Sequence, residues 1–146
     1  MLRSGWILEP ATDSTPCTLP RFLSASDELK EFLASFAALH TAADKAWLIA
    51  SGDFGATPQQ GFAWNEFELL SLSASADDSA CAQQVRSFWQ NHLPIFMSVE
   101  NHYEYVAYCL SGPRRGSYVH GAEPEFEDTR VVAHDLDEFV AWLIAR

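Results

Sequence analysis

Tyr103-Glu104-Tyr105-Val106-Ala107-Tyr108-Cys109-Leu110 is the stretch whose reading decides the fold. Its residues are dense in β-formers, and both alternating sets of positions are largely apolar or aromatic. A strand with one wet face would alternate, so this one reads as a central strand covered on both sides. Its neighbours follow by working outward. Ile95 to Val99 reads as a strand and Glu100-Asn101-His102 as the turn between the two. Beyond Leu110, Ser111 to Gly116 contains Gly112-Pro113 and reads as a turn. Ser117 to His120 and Thr129 to His134 are shorter strands, separated by the acidic loop Gly121 to Asp128.

The helices frame these strands. Asp135 is placed to cap a closing helix, with Glu138 three residues on and then Phe139, Val140, Trp142, Leu143 and Ile144. A middle helix is expected from about Asp77 to His92, capped by Ser75 or Asp77 and stopped by Pro94, with Cys81, Val85, Phe88 and Trp89 facing inward. A first helix starts at Ser24 or Ser26. Asp27, Glu28 and Glu31 suit its positive end, and Leu29, Phe32, Leu33, Phe36 and Leu39 recur at three- and four-residue steps. Trp47 to Ala50 reads as a short strand, and Phe62 to Leu72 as one or two more. Asp53-Phe54-Gly55 repeats three letters of the kinase metal-binding motif, but no glycine-rich loop, strand lysine or HRD segment accompanies it, so it reads as a turn. A Gly/Pro/Gln loop follows as far as Gly61. Helices with hairpin-linked strands indicate an α+β fold.

The chain has 146 residues, of which 48% are apolar or aromatic. One domain is expected over 1–146, with 1–23 a less regular lead-in where Trp6, Ile7 and Leu8 form an edge strand or cover the core. Twenty acids oppose nine bases, for a net charge of −11. So few cations disfavour nucleic acid and anionic membranes and favour a basic protein partner. Cys17, Cys81 and Cys109 include no CxxC pair, and read as reduced thiols. No signal-peptide pattern and no membrane-length apolar run occurs, so a cytoplasmic protein is expected.

Chemistry-bearing motifs are sparse. There is no GxSxG elbow, no Walker loop and no GxGxxG. Cys109 ends an apolar strand and reads as a buried structural thiol rather than a nucleophile. His102, His120 and His134 lie at strand ends near Glu100, Glu123 and Asp135, but without metal-motif spacing; no metal is expected. The acidic run Glu123-Pro124-Glu125-Phe126-Glu127-Asp128 stands out. Four carboxylates in six residues repel one another, so stability alone would not gather them. From Glu123 to Glu138 there are seven acids against Arg130 alone, which reads as a local patch at a loop and the start of a helix. Phe126 offers an aromatic that suits either core or contact.

The order of these segments resembles the SUKH superfamily, whose members include yeast cell-wall-synthesis regulators and bacterial toxin-immunity proteins. The likeness runs through Leu29-Lys30-Glu31-Phe32-Leu33, Leu93-Pro94-Ile95, Tyr103 to Leu110, Gly116-Ser117-Tyr118-Val119-His120 and Asp135 to Ile144. It covers about residues 25 to 146 and is strongest over the last fifty. The resemblance implies a mixed, mainly antiparallel sheet flanked by helices, no catalytic residue and no cofactor. It implies a binding module, of the immunity type, that neutralises a cognate toxin such as a nuclease by covering it. Glu100, Glu104, Glu123, Glu125, Phe126, Glu127 and Asp128 are then the candidate partner contacts. A regulatory scaffold or adaptor with a non-toxin partner is the alternative, and a small metal-dependent enzyme a weaker one.

Overall fold

Every residue of the strand Glu104–Cys109 is buried, as is all of His92–Ser98 after its first residue. Two such strands need a covering layer on each face. In the computed structural model, which describes residues 5–11, 17–54 and 63–146, helices supply both. The strands are β1 (Trp6–Pro10), β2 (Phe36–Thr41), β3 (Ala46–Leu48), β4 (His92–Ser98), β5 (Glu104–Cys109), β6 (Tyr118–Ala122) and β7 (Arg130–Ala133). The helices are α1 (Pro20–Leu23), α2 (Asp27–Ala34), α3 (Glu66–Ala74), α4 (Ser79–Gln90) and α5 (Leu136–Ala145), with a 3-10 turn at Ser51–Asp53. The fold is α+β. Its seven strands pair in chain order, β1 to β7, and each pairing is antiparallel.

Register sorts the side chains onto the two faces. Phe96 pairs with Val106, Val106 with His120, and Tyr108 with Tyr118. Helix α5 covers this face, with Phe139 stacked on Tyr118 at 5.1 Å and Trp142 edge-on to Phe96 at 5.8 Å. Tyr105 points to the other face, where it meets Trp89 of α4 at 4.9 Å and Phe67 of α3 at 5.9 Å. Side-chain caps fix three helix starts: Ser26 accepts from Leu29 N–H, Asp78 from Cys81 N–H, and Asp135 from Glu138 N–H. The Glu138 carboxylate reaches His134 N–H, one residue short of a closed capping box.

Three sequence expectations fail locally. The middle helix is Ser79–Gln90, capped by Asp78 rather than Ser75 or Asp77, and His92 and Pro94 belong to β4, so the proline does not stop the helix. The first helix ends at Ala34, and Phe36 and Leu39 belong to β2. Buried positions three apart in β2 imitate a helical period, but Phe36 lies opposite Pro10, and Leu39 lies between Leu8 and Leu48. Residues 66–74 form helix α3 and not strands. Its inward positions include Phe67, Glu68, Ser71 and, just past its end, Ser75, so an apolar period is not visible. Glu68 is held from outside by a two-pronged pair with Arg21, at 2.8 and 3.0 Å. Ser51–Asp53 is the 3-10 turn, with the Asp53 carboxylate accepting Ala50 N–H; Gly55 and the loop to Gly61 lie outside the described residues.

Tyr105 lies directly across from Gly121, and its hydroxyl donates to the Phe126 carbonyl. A Cβ on Gly121 would come within 2.6 Å of both that hydroxyl and that carbonyl. Gly121→Ala should therefore cost about 1–3 kcal/mol through overpacking. Tyr105→Phe should cost about 1–3 kcal/mol by leaving the carbonyl unpaired. Because both changes break one contact, urea denaturation of the double variant should show less than the sum of the two losses.

Candidate functional site

An antiparallel meander collects alternate turns at the same end. The β2–β3 turn, the β4–β5 turn and the β6–β7 loop share one end, and the two loops carrying Glu100 and Glu123 to Asp128 are neighbours. The contact is direct: Glu123 N–H donates to the Tyr103 carbonyl, and Tyr103 N–H donates to the Glu123 carboxylate at 3.2 Å. Glu100, Glu123, Glu125 and Asp128 are exposed there, and among the described residues none of them pairs with a cation. Asp44 stands at the same end in the β2–β3 turn, in a left-handed conformation (φ 58°), with His40 Nδ1 3.6 Å from its carboxylate. Nothing in the sequence around Asp44 signals that placement; it follows from strand order.

Three of the sequence-selected residues turn inward. Phe126 is buried, stacked on Phe67 at 4.8 Å and 9°. The Glu127 carboxylate accepts from Trp89 Nε1 at 2.9 Å and from Ser71 Oγ at 2.8 Å. Together these two residues pin the acidic loop onto α3 and α4.

Glu104 is the third, and the most heavily partnered. Its side chain is 8% exposed, and Oε1 accepts from His120 Nε2 at 3.0 Å and from Arg146 Nη1 at 2.9 Å. His102 Nε2 lies 3.7 Å from Oε2. The Arg146 guanidinium also lies over the rings of Phe96 and Trp142, at 4.9 and 5.3 Å. This cluster ties the last turn of α5 to the start of β5.

His102 and His120 thus flank Glu104 rather than Glu100 or Glu123. His134 sits at the opposite end of β7, so the sequence set does not converge. Among the described residues no group of three metal-ligating side chains is arranged to hold an ion. The acidic segment from Glu123 to Glu138 is divided as well. Four residues of β7, about 13 Å of strand, put Glu123 to Asp128 at one end and Asp135 to Glu138 at the other. Cys109 is buried in β5, and burial pushes its thiol pKa up, away from a nucleophile's requirement. A shallow groove between α1, the end of α4 and the β5–β6 turn is lined by Arg21, already committed to Glu68, and by Gln90, Asn91 and Ser111. No helix among the described residues is long and apolar enough to cross a membrane.

Scans against family models, curated proteins and solved structures found no match to this chain.

The hydrogen bond from His120, opposed by burial and joined by the Arg146 contact, holds the Glu104 carboxyl at about 2, below its usual value of 4.5. A lowered folded-state pKa means stability that is present above the unfolded value and lost as pH falls. Wild-type stability should therefore drop between pH 4.5 and about 2, partly through this group. Urea titrations across that interval should show a shallower drop for Glu104→Gln. At neutral pH the same variant should lose about 1.5–3 kcal/mol, the range for hydrogen bonds to charged groups.

Proposed function

We propose that the protein is a non-catalytic module that docks a basic protein against the turn end of its sheet. The observation that carries this reading is the division among its carboxylates. Glu68, Glu104 and Glu127 are consumed by internal partners, whereas Glu100, Glu123, Glu125 and Asp128 stand exposed on adjoining loops without a cation among the described residues. Like charges held together on a pinned loop cost stability, and a cationic surface would repay that cost on contact. Phe126 and Glu127 serve the surface indirectly, by fixing the loop that presents it.

The resemblance to the SUKH superfamily supports the narrower reading of an immunity-type inhibitor in the cytoplasm. The acidic end would cover a basic cleft of a toxin, with its carboxylates standing where phosphates bind. No metal or cofactor enters this mechanism. Rim charges of this kind set the rate of encounter more than the final affinity.

The test is co-expression with the toxin encoded beside the gene, together with association kinetics. The variant carrying Glu100→Gln, Glu123→Gln, Glu125→Gln and Asp128→Asn keeps the acceptor that Tyr103 N–H uses. It should associate at least roughly tenfold more slowly at low salt, with a flattened salt dependence and a melting temperature no lower than that of the parent protein. An unchanged on-rate places the binding surface elsewhere. Binding without protection of the cells favours an adaptor over an inhibitor.

A further inference from the structure

The described sheet has an open edge at β1, and the strand there is exposed at every position after Trp6. Ile7 and Leu8 are 43% and 51% exposed, two adjacent large apolar side chains on a bare strand. Soluble proteins ordinarily blunt such edges with charge, proline or a bulge. Here Glu9, Pro10 and the register shift between them guard one end only, leaving Gly5 to Leu8 uncharged.

The backbone at this edge has a definite polarity. Ala42 N–H donates to the Gly5 carbonyl at 2.7 Å, while Ile7 lies opposite His40. Bonded and non-bonded pairs alternate along an antiparallel ladder, so Ile7 and Glu9 turn their backbone groups toward β2. Trp6 and Leu8 then turn N–H and C=O outward.

We propose that β1 pairs with β1 of a second copy of this chain, antiparallel and about a two-fold axis at Ile7. In that register Trp6 and Leu8 of each copy exchange both backbone bonds with Leu8 and Trp6 of the other, making four hydrogen bonds. The two Ile7 side chains meet in the close, non-bonded position on one face, and Trp6 meets Leu8 on the other. A two-fold at Leu8 would set Glu9 against Ile7. The Ile7 axis instead places Glu9 opposite Gly5, with the two Glu9 carboxylates at opposite ends of the ribbon.

Charge is compatible with the same face. Two copies at −11 each repel, but Gly5 to Leu8, which make the contact, carry no charge, and the intervening strands of the sheet separate them from the acidic β6–β7 loop. The contact is isologous, so it closes at two copies and leaves the acidic end of each free.

Light scattering across concentrations up to hundreds of micromolar should show the mass doubling; a monomer throughout overturns the proposal. Leu8→Pro removes an outward N–H and no bond to β2, so it should give a monomer with a near-native melting temperature. A dimer that survives this change in a folded protein overturns the proposal too. Crosslinking tests the register without relying on that variant. Oxidised with diamide, Ile7→Cys should form a covalent dimer, whereas Leu8→Cys and the wild type, with Cys17, Cys81 and Cys109, should not. Crosslinking at position 8 and not at 7 overturns the two-fold axis at Ile7.

Discussion

A strand with no exposed residue must be covered twice, and in this protein that strand is β5. One cover is α5, brought in by Phe139 and Trp142; the other is α3 and α4, brought in by Phe67 and Trp89. The Tyr105 hydroxyl is the polar exception on the second face. Burial, with Glu127 nearby, raises its pKa and keeps it a donor, and the Phe126 carbonyl receives the proton's hydrogen bond. Gly121 is what leaves room for that contact. A core requirement in β5 thereby sets the path of a surface loop more than a dozen residues further along the chain.

The acidic balance of the chain has two components with different physical roles. Glu68, Glu104 and Glu127 are desolvated and hydrogen-bonded, and each joins elements far apart in sequence: α1 to α3, β5 to the end of α5, and the β6–β7 loop to α3 and α4. A buried carboxylate without its partner would be costly, so these three act as registration points for helices against the sheet. Most of the other acids among the described residues are exposed, where pairing would contribute little to stability. Those on the turn end are the ones that two adjoining loops bring together.

The sequence made the second half legible because its signals are local. The two-sided apolar pattern of Tyr103 to Leu110 reports a central strand, and Asp135 and Glu138 mark the start of a helix directly. The first half was harder for a physical reason. The inward face of α3 is held by Arg21 and Glu127, residues distant in sequence, so no apolar period betrays it. Phe36 and Leu39 are spaced like a helix but are claimed by β1 and β3 on either side. For the candidate site, sequence found the acids but not their division. Whether a carboxylate faces Trp89 or water depends on the twist of a loop, and composition carries no record of that.

The strand order also has a consequence for how the chain assembles. From β4 to β7 each strand pairs with its successor through a short connection, so this half closes with small entropic cost. β3 must return across α3 and α4 to reach β4, where Leu48 meets Phe96 and Ile49 N–H finds the Ile95 carbonyl. Local closure first and docking of β1 to β3 second is the route that topology favours. Along that route the outer edge of β4, with Ile95, Phe96 and Met97, waits unpaired. The register shift between Pro94 and Phe96 falls in the β4–β5 pairing, so the edge that waits for β3 keeps a regular register from Phe96 to Ser98. The proline expected to stop the middle helix thus stands inside β4, past the end of α4 at Gln90, and the edge that β3 must find begins just beyond it.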